Sequence, residues 1–541
     1  MHVQVLDTDV LVIGGGAAGA RCAIHAAGSA KVILLDKSLF GYSGSSGMHP
    51  GWNMSASISA LDSPERHFQD TMKSSCGLAN PKLVRILAEE ATGAVLECER
   101  HGAIFRRDPS IVLHQPGGHS VPRAMGPAFM WMESNEARRM GVKVLEETMA
   151  TKLLVSDGKV TGATAIDLRD GGFKAIKAKS IVLATGGGEQ IFGWGTVAAR
   201  SPCPIELTGD GYAMGYEAGA ELVDMEFNQS LLGLMYPPQF IGATNISTGL
   251  KDGFIDSDGK YWLKDTPIPK ITRAMMIKEI LQKIEEGKGS PHGGILFDSK
   301  VILPTVEKEM FTRVAFHEIW KKVGCGEILE VYPNFMYFMG GIKIDERCET
   351  NVKGLFACGE AAGGIHGANR LGTNSFTDCL VFGSRAGTYA ARSEGGEMDW
   401  DQVEEEKDRI KGIMEGEGEF RPYQIRQKLQ RCIWENGSFR RNEVKLRRTL
   451  REIRKIGKEA ELMHPASTTR IFNYELVEAI ECYNMLMTAE MVVRAALLRR
   501  ESRGSHQRED YPLTDDNWAT NILIWKGKRG MVFKKGVRMD E

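Results

Sequence analysis

The sequence holds no apolar run of the roughly 18 residues that crosses a bilayer, so no membrane span is expected. Its opening residues, MHVQVLDTDVLVIGGG, lead into a strand pattern without the basic and then apolar regions of a secretory leader. A basic excess is missing too. The 68 Lys and Arg stand against 70 Asp and Glu, which gives no footing for nucleic acid or an anionic membrane. The ten cysteines (22, 76, 98, 203, 325, 348, 358, 379, 432, 482) occur singly, with no CxxC pair. An iron–sulfur cluster or a zinc site needs closer spacing, so buried reduced thiols in a cytoplasmic protein are expected. No internal repeat or low-complexity tract stands out.

What is abundant is glycine. The 61 glycines fall in short runs, the composition of a chain whose backbone passes close to something. At 541 residues the chain is too long for one core, and two to four domains are expected. In TDVLVIGGGAAGARCAIHAAGSAKVILLDK, Val10–Ile13 form an unbroken apolar run, as in a strand buried on both faces. Gly14, Gly16 and Gly19 follow in the GxGxxG pattern at the start of an Ala-rich helix. They allow a tight turn, a close approach by a pyrophosphate, and close packing of helix on strand. Asp36 ends the second strand, where a carboxylate accepts hydrogen bonds from ribose hydroxyls. The order of strand, turn, helix, strand and acid predicts a Rossmann-type dinucleotide-binding domain. The fingerprint alone does not choose between NAD and FAD.

Further along, KAKSIVLATGGGEQIFG is a second buried strand ending at Thr185, Gly186 and Gly187. VKGLFACGEAAGG is a third, ending at Gly359 and Glu360, and TGDGYAMGYEAGAEL is a turn entering an amphipathic helix. The GxGxxG, ATGG and TGDG motifs, with the late GLFACGE…HGANRLGTNS, resemble the flavoprotein subunit of the fumarate reductase and succinate dehydrogenase family. L-aspartate oxidase belongs to the same group. ESRGSHQREDYP, near the carboxyl end, is similar to a second hallmark of that family, so the likeness covers nearly the whole chain. It implies FAD. The cofactor residues expected from these motifs are Gly14, Gly16, Ala18, Gly19, Asp36, Lys37, Ser43, Gly44, Ala150, Ala184, Thr185, Gly186, Asp210, Glu360, Asn374 and Ser375. The resemblance places Glu360 at the ribityl or ribose hydroxyls and Asn374 and Ser375 at the flavin end. Membrane-bound relatives attach FAD to a histidine after an RS pair. In GYSGSSGMHPGW, Ser43 aligned with that serine puts Gly44 in the histidine's place, and His49 lies five residues on. Non-covalent FAD is expected.

The resemblance also implies a domain plan. The flavin-binding α/β domain takes 1–231 and 334–398, with a capping domain, 232–333, inserted between them. The cap contains a Pro/Gly-punctuated loop region and a helix from near Ile271. A charged helical domain follows over 399–505, and 506–541 form a carboxyl-terminal extension.

In the resemblance, the arginine of HGANRLG is a substrate ligand, and Arg370 matches it. A guanidinium grips a carboxylate with two parallel hydrogen bonds. The family's other polar groups do not follow. Its proton-donating arginine and the next aspartate fall on Ile268 and Pro269, leaving Lys270 as the alternative donor, or as a solvated lysine. Its two substrate histidines fall on Leu231, in EFNQSLLGL where Glu226 and Gln229 are kept, and on Met336, in PNFMYFMGG. Three apolar residues in place of polar ones imply a ligand with one anionic group and a more apolar remainder. GGHSVPR resembles a stretch of L-aspartate oxidase, which makes His119 and Arg123 candidates at the site mouth, with Arg123 a second anion ligand or a packing residue. Tyr337 and His366 are fallback proton donors.

The expected function is hydride transfer between flavin and a carbon–carbon bond of an organic acid other than fumarate. Because the chain carries no cluster motif, an iron–sulfur subunit is the expected electron partner. Two alternatives stay open: a sulfur-compound reductase similar to the adenylylsulfate reductase flavoprotein, and an electron-transfer component without substrate chemistry of its own.

Overall fold

The computed structural model describes residues 2–48, 52–58, 62–104, 123–124, 126–193, 203–236, 248–265, 273–301 and 326–537. Val10–Ile13 are buried, and this apolar run forms the end of a central strand, Val3–Ile13. That strand pairs in parallel with Val32–Leu35 on one side and Phe173–Leu183 on the other. Lys143–Leu145 extends the sheet beyond Val32–Leu35, and the antiparallel strands Lys159–Asp167 and Thr148–Ser156 extend it beyond Phe173–Leu183. Leu355–Ala357 lies parallel to Ile181–Leu183, past the point where Lys159–Asp167 ends its pairing. The parallel strands Val3–Ile13, Val32–Leu35, Phe173–Leu183 and Leu355–Ala357 therefore finish along one edge. A crevice outside such carboxyl ends is where α/β sheets bind ligands.

Close backbone packing holds that edge. Gly14 has φ +108°, and a Cβ on it would collide with the Ala184 carbonyl. A Cβ on Gly19 would collide with the Gly14 carbonyl, so this glycine lets helix Ala17–Ala27 lie against the turn. Helix Asn374–Ala390 packs on the same helix through Gly383 and Gly387, where a Cβ would meet the Ala18 and Cys22 carbonyls. That contact carries the segment before it, including Arg370, to the sheet edge.

A second sheet runs Asn228–Tyr236, Ile328–Phe338, Ile295–Asp298, Phe254–Ile255, with helix Arg273–Lys283 supplying Met276, Ile277 and Ile280 to its separate core. Asn228–Tyr236 and Ile328–Phe338 run through both expected limits of the cap, so continuous strands join this layer to the rest. Helix Asp210–Glu217, read as amphipathic, is instead buried on every face except at Glu217, because it lies beneath the helical region as well as on the sheet. The helices Trp400–Glu415, Pro422–Gly437 and Glu443–Ala460 keep their charged faces in water, and Tyr474–Leu498 is mostly buried.

The carboxyl-terminal segment is not an appendage. Asn521–Gly527 pairs antiparallel with Leu222–Val223, in a sheet completed by Gly341–Lys343, Ala362–Gly363 and Gly530–Val537. Ahead of it, Arg499 is fully buried. It donates from Nε to Glu226 Oε1 at 2.6 Å and from Nη1 to Glu501 Oε1 at 3.0 Å, with Asp224 at 3.8 Å. Burial, with Glu226 alongside, pushes Asp224 up to about 7. Arg441, also buried, donates to the Glu226 carbonyl at 2.7 Å and to Asn228 at 3.2 Å. Helical region, carboxyl-terminal segment and the strand entering the second sheet thus share one ion cluster.

Removing one member of a buried charge cluster strands the others. Arg499→Met is expected to lower unfolding free energy by about 3–5 kcal/mol in chemical denaturation, with Arg499→Lys recovering part of it.

Candidate active site

A cavity of about 220 Å³ opens along the carboxyl edge of the parallel strands. Gly14, Gly16 and Ala18 line it where the first strand turns into its helix, and a Cβ on Gly16 would meet nothing nearer than Ser46 Oγ at 3.5 Å. Asp36, Lys37, Ser43, Gly44, Ala150, Ala184, Thr185, Gly186, Asp210, Glu360, Ser375 and Arg370 also line it. Residues from widely separated stretches of sequence thus meet in one cleft.

Two predicted residues stand elsewhere. Gly19 packs helix on turn and does not reach the cavity. Asn374 is also away from it: the Asn374 amide donates to Thr71 Oγ1 at 2.9 Å and its oxygen pairs with His67 Nε2 at 2.8 Å, so the side chain faces helix Pro64–Ser74. Lys37 lines the cavity, but its charge is already paired. The Lys37 ammonium is held by Glu481 at 2.6 Å, Asp210 at 2.7 Å and Thr208 at 3.0 Å, and these acids keep it charged against the cost of burial. Leu231 is buried on its strand opposite Asn334 and does not line the cavity, whereas Met336 does. His49, His119, Ile268, Pro269 and Lys270 lie outside the described residues. Arg123 sits on a short strand with Ala124, and nothing is described of its side chain.

The cleft fits a dinucleotide. Burial pushes Asp36 up to about 6, against a 2.8 Å hydrogen bond from the Ser38 amide. Beside it, Glu206 Oε2 is buried with no hydrogen-bond partner, as is Thr185 Oγ1. Orphaned polar atoms around a glycine cradle suit the hydroxyls and phosphates of a nucleotide cofactor. Sequence pattern did not single out Glu206, Cys203, Cys358 or Cys379. Only Cys379 carried a signal, lying one helical turn after Ser375.

Arg370 is the cavity's unusual member. It is 7% exposed, and burial pulls its guanidinium below its usual pKa. Nη1 donates to Ser375 Oγ at 3.2 Å and to the Leu371 carbonyl at 3.3 Å. Nε and Nη2 make no hydrogen bond, and no carboxylate pairs with the group, among the described residues. The guanidinium instead lies 4.7 Å from the centre of the Tyr337 ring. Tyr337 is fixed in turn by its hydroxyl, 3.1 Å from His366 Nε2 and 3.3 Å from Asp378 Oδ2. Burial lowers the His366 pKa. Gln229 braces the arginine from behind, its amide donating to the Arg370 carbonyl at 3.1 Å. The Nε–Nη2 edge matches a carboxylate and has no hydrogen-bond partner among the described residues.

The family description of an FAD binding domain matches residues 9–376, and that of the fumarate reductase flavoprotein C-terminal region matches 426–540. The chain is 36% identical to a protein of Methanothermobacter marburgensis named as one of the subunits of fumarate reductase (CoM/CoB), over 97% of this chain and 98% of that one. Quinol fumarate reductase from Escherichia coli superposes with TM-score 0.88 at 26% identity, over 99% of this chain and 97% of that one. Adenylylsulfate reductase from Archaeoglobus fulgidus does so with TM-score 0.80 at 22% identity, covering 100% and 97%, which shows a shared fold alone. The cofactor is FAD.

If Asp36 accepts from the ribose hydroxyls, as the sequence pattern predicts, it does so more strongly when ionised than when protonated. FAD affinity for the apoprotein, followed by flavin fluorescence, is therefore expected to rise as pH climbs through about 6, by up to about tenfold per unit below it. Asp36→Asn should weaken binding at neutral pH and abolish this acid-side dependence.

Proposed function

The chain belongs to the fumarate reductase and succinate dehydrogenase flavoprotein family, and on that footing we propose that it moves a hydride between FAD and a carbon–carbon bond of an organic acid held through its carboxylate by Arg370. The observation that carries this reading is the buried guanidinium whose Nε has no partner and whose Nη2 makes no hydrogen bond among the described residues. Flavin, when bound, supplies the hydride chemistry. The protein's share is to bind, orient and exclude water. Arg370 neutralises and aligns the carboxylate, and Tyr337 keeps the guanidinium in place without consuming its charge. Met336 offers an apolar wall where the family has a hydrogen-bonding histidine, so a second carboxylate has no donor there. The preferred substrate is an organic acid other than fumarate, with one carboxylate and an apolar remainder.

For the proton, Lys270 stays the proposed donor, and Arg123 a proposed second anion ligand. The Tyr337 hydroxyl and His366 bond each other and Asp378, which favours a supporting role over proton delivery. FAD is held without a covalent bond, Gly44 having no side chain to form one. Electrons are exchanged with an iron–sulfur subunit. Among the described residues no cysteine forms a disulfide and no group of three metal-ligating side chains exists, and the relatives are named as subunits.

One observation favours a second reading. The Methanothermobacter relative, at 36% identity, is named a fumarate reductase, which supports fumarate itself as substrate. The sulfur-compound alternative has only a shared fold behind it, and a role without substrate leaves the empty Arg370 edge unexplained.

The readings separate in one anaerobic experiment. The holoprotein is reduced with dithionite, freed of excess, and mixed with fumarate or with a 2-enoic monocarboxylic acid while flavin absorbance is followed. Reoxidation by the monocarboxylic acid is expected to exceed that by fumarate by about tenfold or more, from the unpaired second carboxylate. Faster reoxidation by fumarate establishes the second reading.

A further inference from the structure

Glu189 and Glu360 stand on either side of Gly187. A Cβ on that glycine would lie 2.5 Å from Glu189 Oε1 and 2.6 Å from Glu360 Oε1. Glu189 is fully buried, on the turn Glu189–Phe192, and Glu360 faces the cavity. Glu360 Oε1 accepts the Phe338 amide at 2.8 Å, but neither Glu189 oxygen receives an N–H or hydroxyl of good geometry. No lysine or arginine pairs with either carboxyl among the described residues. Two carboxylates side by side out of water do not both ionise, and a hydrogen bond between them exists only if one carries a proton.

The backbone amides of Glu189 and Phe338 relieve the pair only in part, against the larger cost of burial. Tyr212 donates its hydroxyl to the Glu360 carbonyl at 2.8 Å and leaves the carboxyl alone. Tyr337, Cys358 and Cys379 are uncharged neighbours on the cavity side; burial raises the pKa of Tyr337 and Cys379, and the contact with Cys22, then burial, raises that of Cys358. Arg370 is the cation whose field reaches Glu360, and it carries no direct bond to it. Arg426, on helix Pro422–Gly437, reaches Gln190, Ile205 and Glu481 and not Glu189. Desolvation and mutual repulsion raise the pKa of Glu360 well above the usual carboxylate range, and burial raises that of Glu189.

We infer that Glu189 is a positioning residue for the cofactor: it shares one proton with Glu360, which holds the pair to a single negative charge and fixes the Glu360 carboxyl as an acceptor for FAD, and FAD binds with that proton retained. The shared proton stays between the two carboxyls, and a remaining lone pair of Glu360 accepts from a cofactor hydroxyl. A doubly ionised pair would lose the bond that fixes Glu360 and would add a second negative charge facing the cofactor's diphosphate. FAD affinity should then fall as pH rises through the raised pKa of the pair and the proton is lost, opposite in sign to the Asp36 effect. The inference rests on the cofactor and not on the substrate, so neither outcome of the reoxidation experiment touches it.

The test is the dissociation constant of FAD from the apoprotein as a function of pH, for wild type, Glu189→Gln and Glu360→Gln. Wild type is expected to lose affinity on the alkaline side by up to about tenfold per unit. Glu189→Gln, nearly the same shape and unable to ionise, should flatten that limb while keeping the acid-side dependence of Asp36. Glu360→Gln should flatten it as well, and provides the answer if Glu189→Gln does not fold. An alkaline limb absent from wild type, or as steep in a folded variant as in wild type, overturns the inference.

Discussion

A guanidinium taken out of water without a carboxylate beside it is costly, and the cleft is built around holding one in that state. Arg370 has a serine hydroxyl, one carbonyl and an aromatic face for company. Each orients the group and none cancels its charge. The support reaches backward through Tyr337 to His366 and Asp378, and through the Arg370 backbone to Gln229. A site arranged this way keeps its attraction for an anion that arrives from outside. An ion pair within the protein would have spent it.

The remainder of the fold supplies the rigidity such a site needs. Helix Asn374–Ala390 is pressed onto helix Ala17–Ala27 through glycines, which places the arginine segment and the dinucleotide turn in one frame. The strand bearing Gln229 enters the second sheet beside the Arg499 cluster, so the carboxyl-terminal segment, far off in sequence, helps fix a residue behind the cavity. Lys37, Asp210 and Glu481 make a similar tie between the helical region and the rim of the cofactor cleft.

Much of this was legible in the sequence because it depends on local pattern. The apolar run Val10–Ile13 and the glycines after it specify strand, turn and helix within a few residues, and the structure has them there. Arg370 stood out because its motif is long. What escaped depends on partners distant in sequence. Asn374 was placed with the cofactor, yet His67 and Thr71 draw it the other way. Lys37 was placed there too, yet Glu481 claims its ammonium. The segment from 506 onward read as an extension because its strand partner, Leu222–Val223, is only two residues long. Glu189 gave no signal: a glutamate after three glycines reads as a solvated turn until its neighbour across Gly187 is known.

The central claim is that the unfilled edge of Arg370 binds the substrate's carboxylate. The most direct measurement is titration of the oxidised, FAD-loaded protein with a 2-enoic monocarboxylic acid, read by the change in flavin absorbance, for wild type, Arg370→Lys and Arg370→Met. The account predicts saturable binding in wild type, weakened by about a hundredfold in Arg370→Met and partly restored in Arg370→Lys. Equal affinity in wild type and Arg370→Met at full FAD occupancy would contradict it.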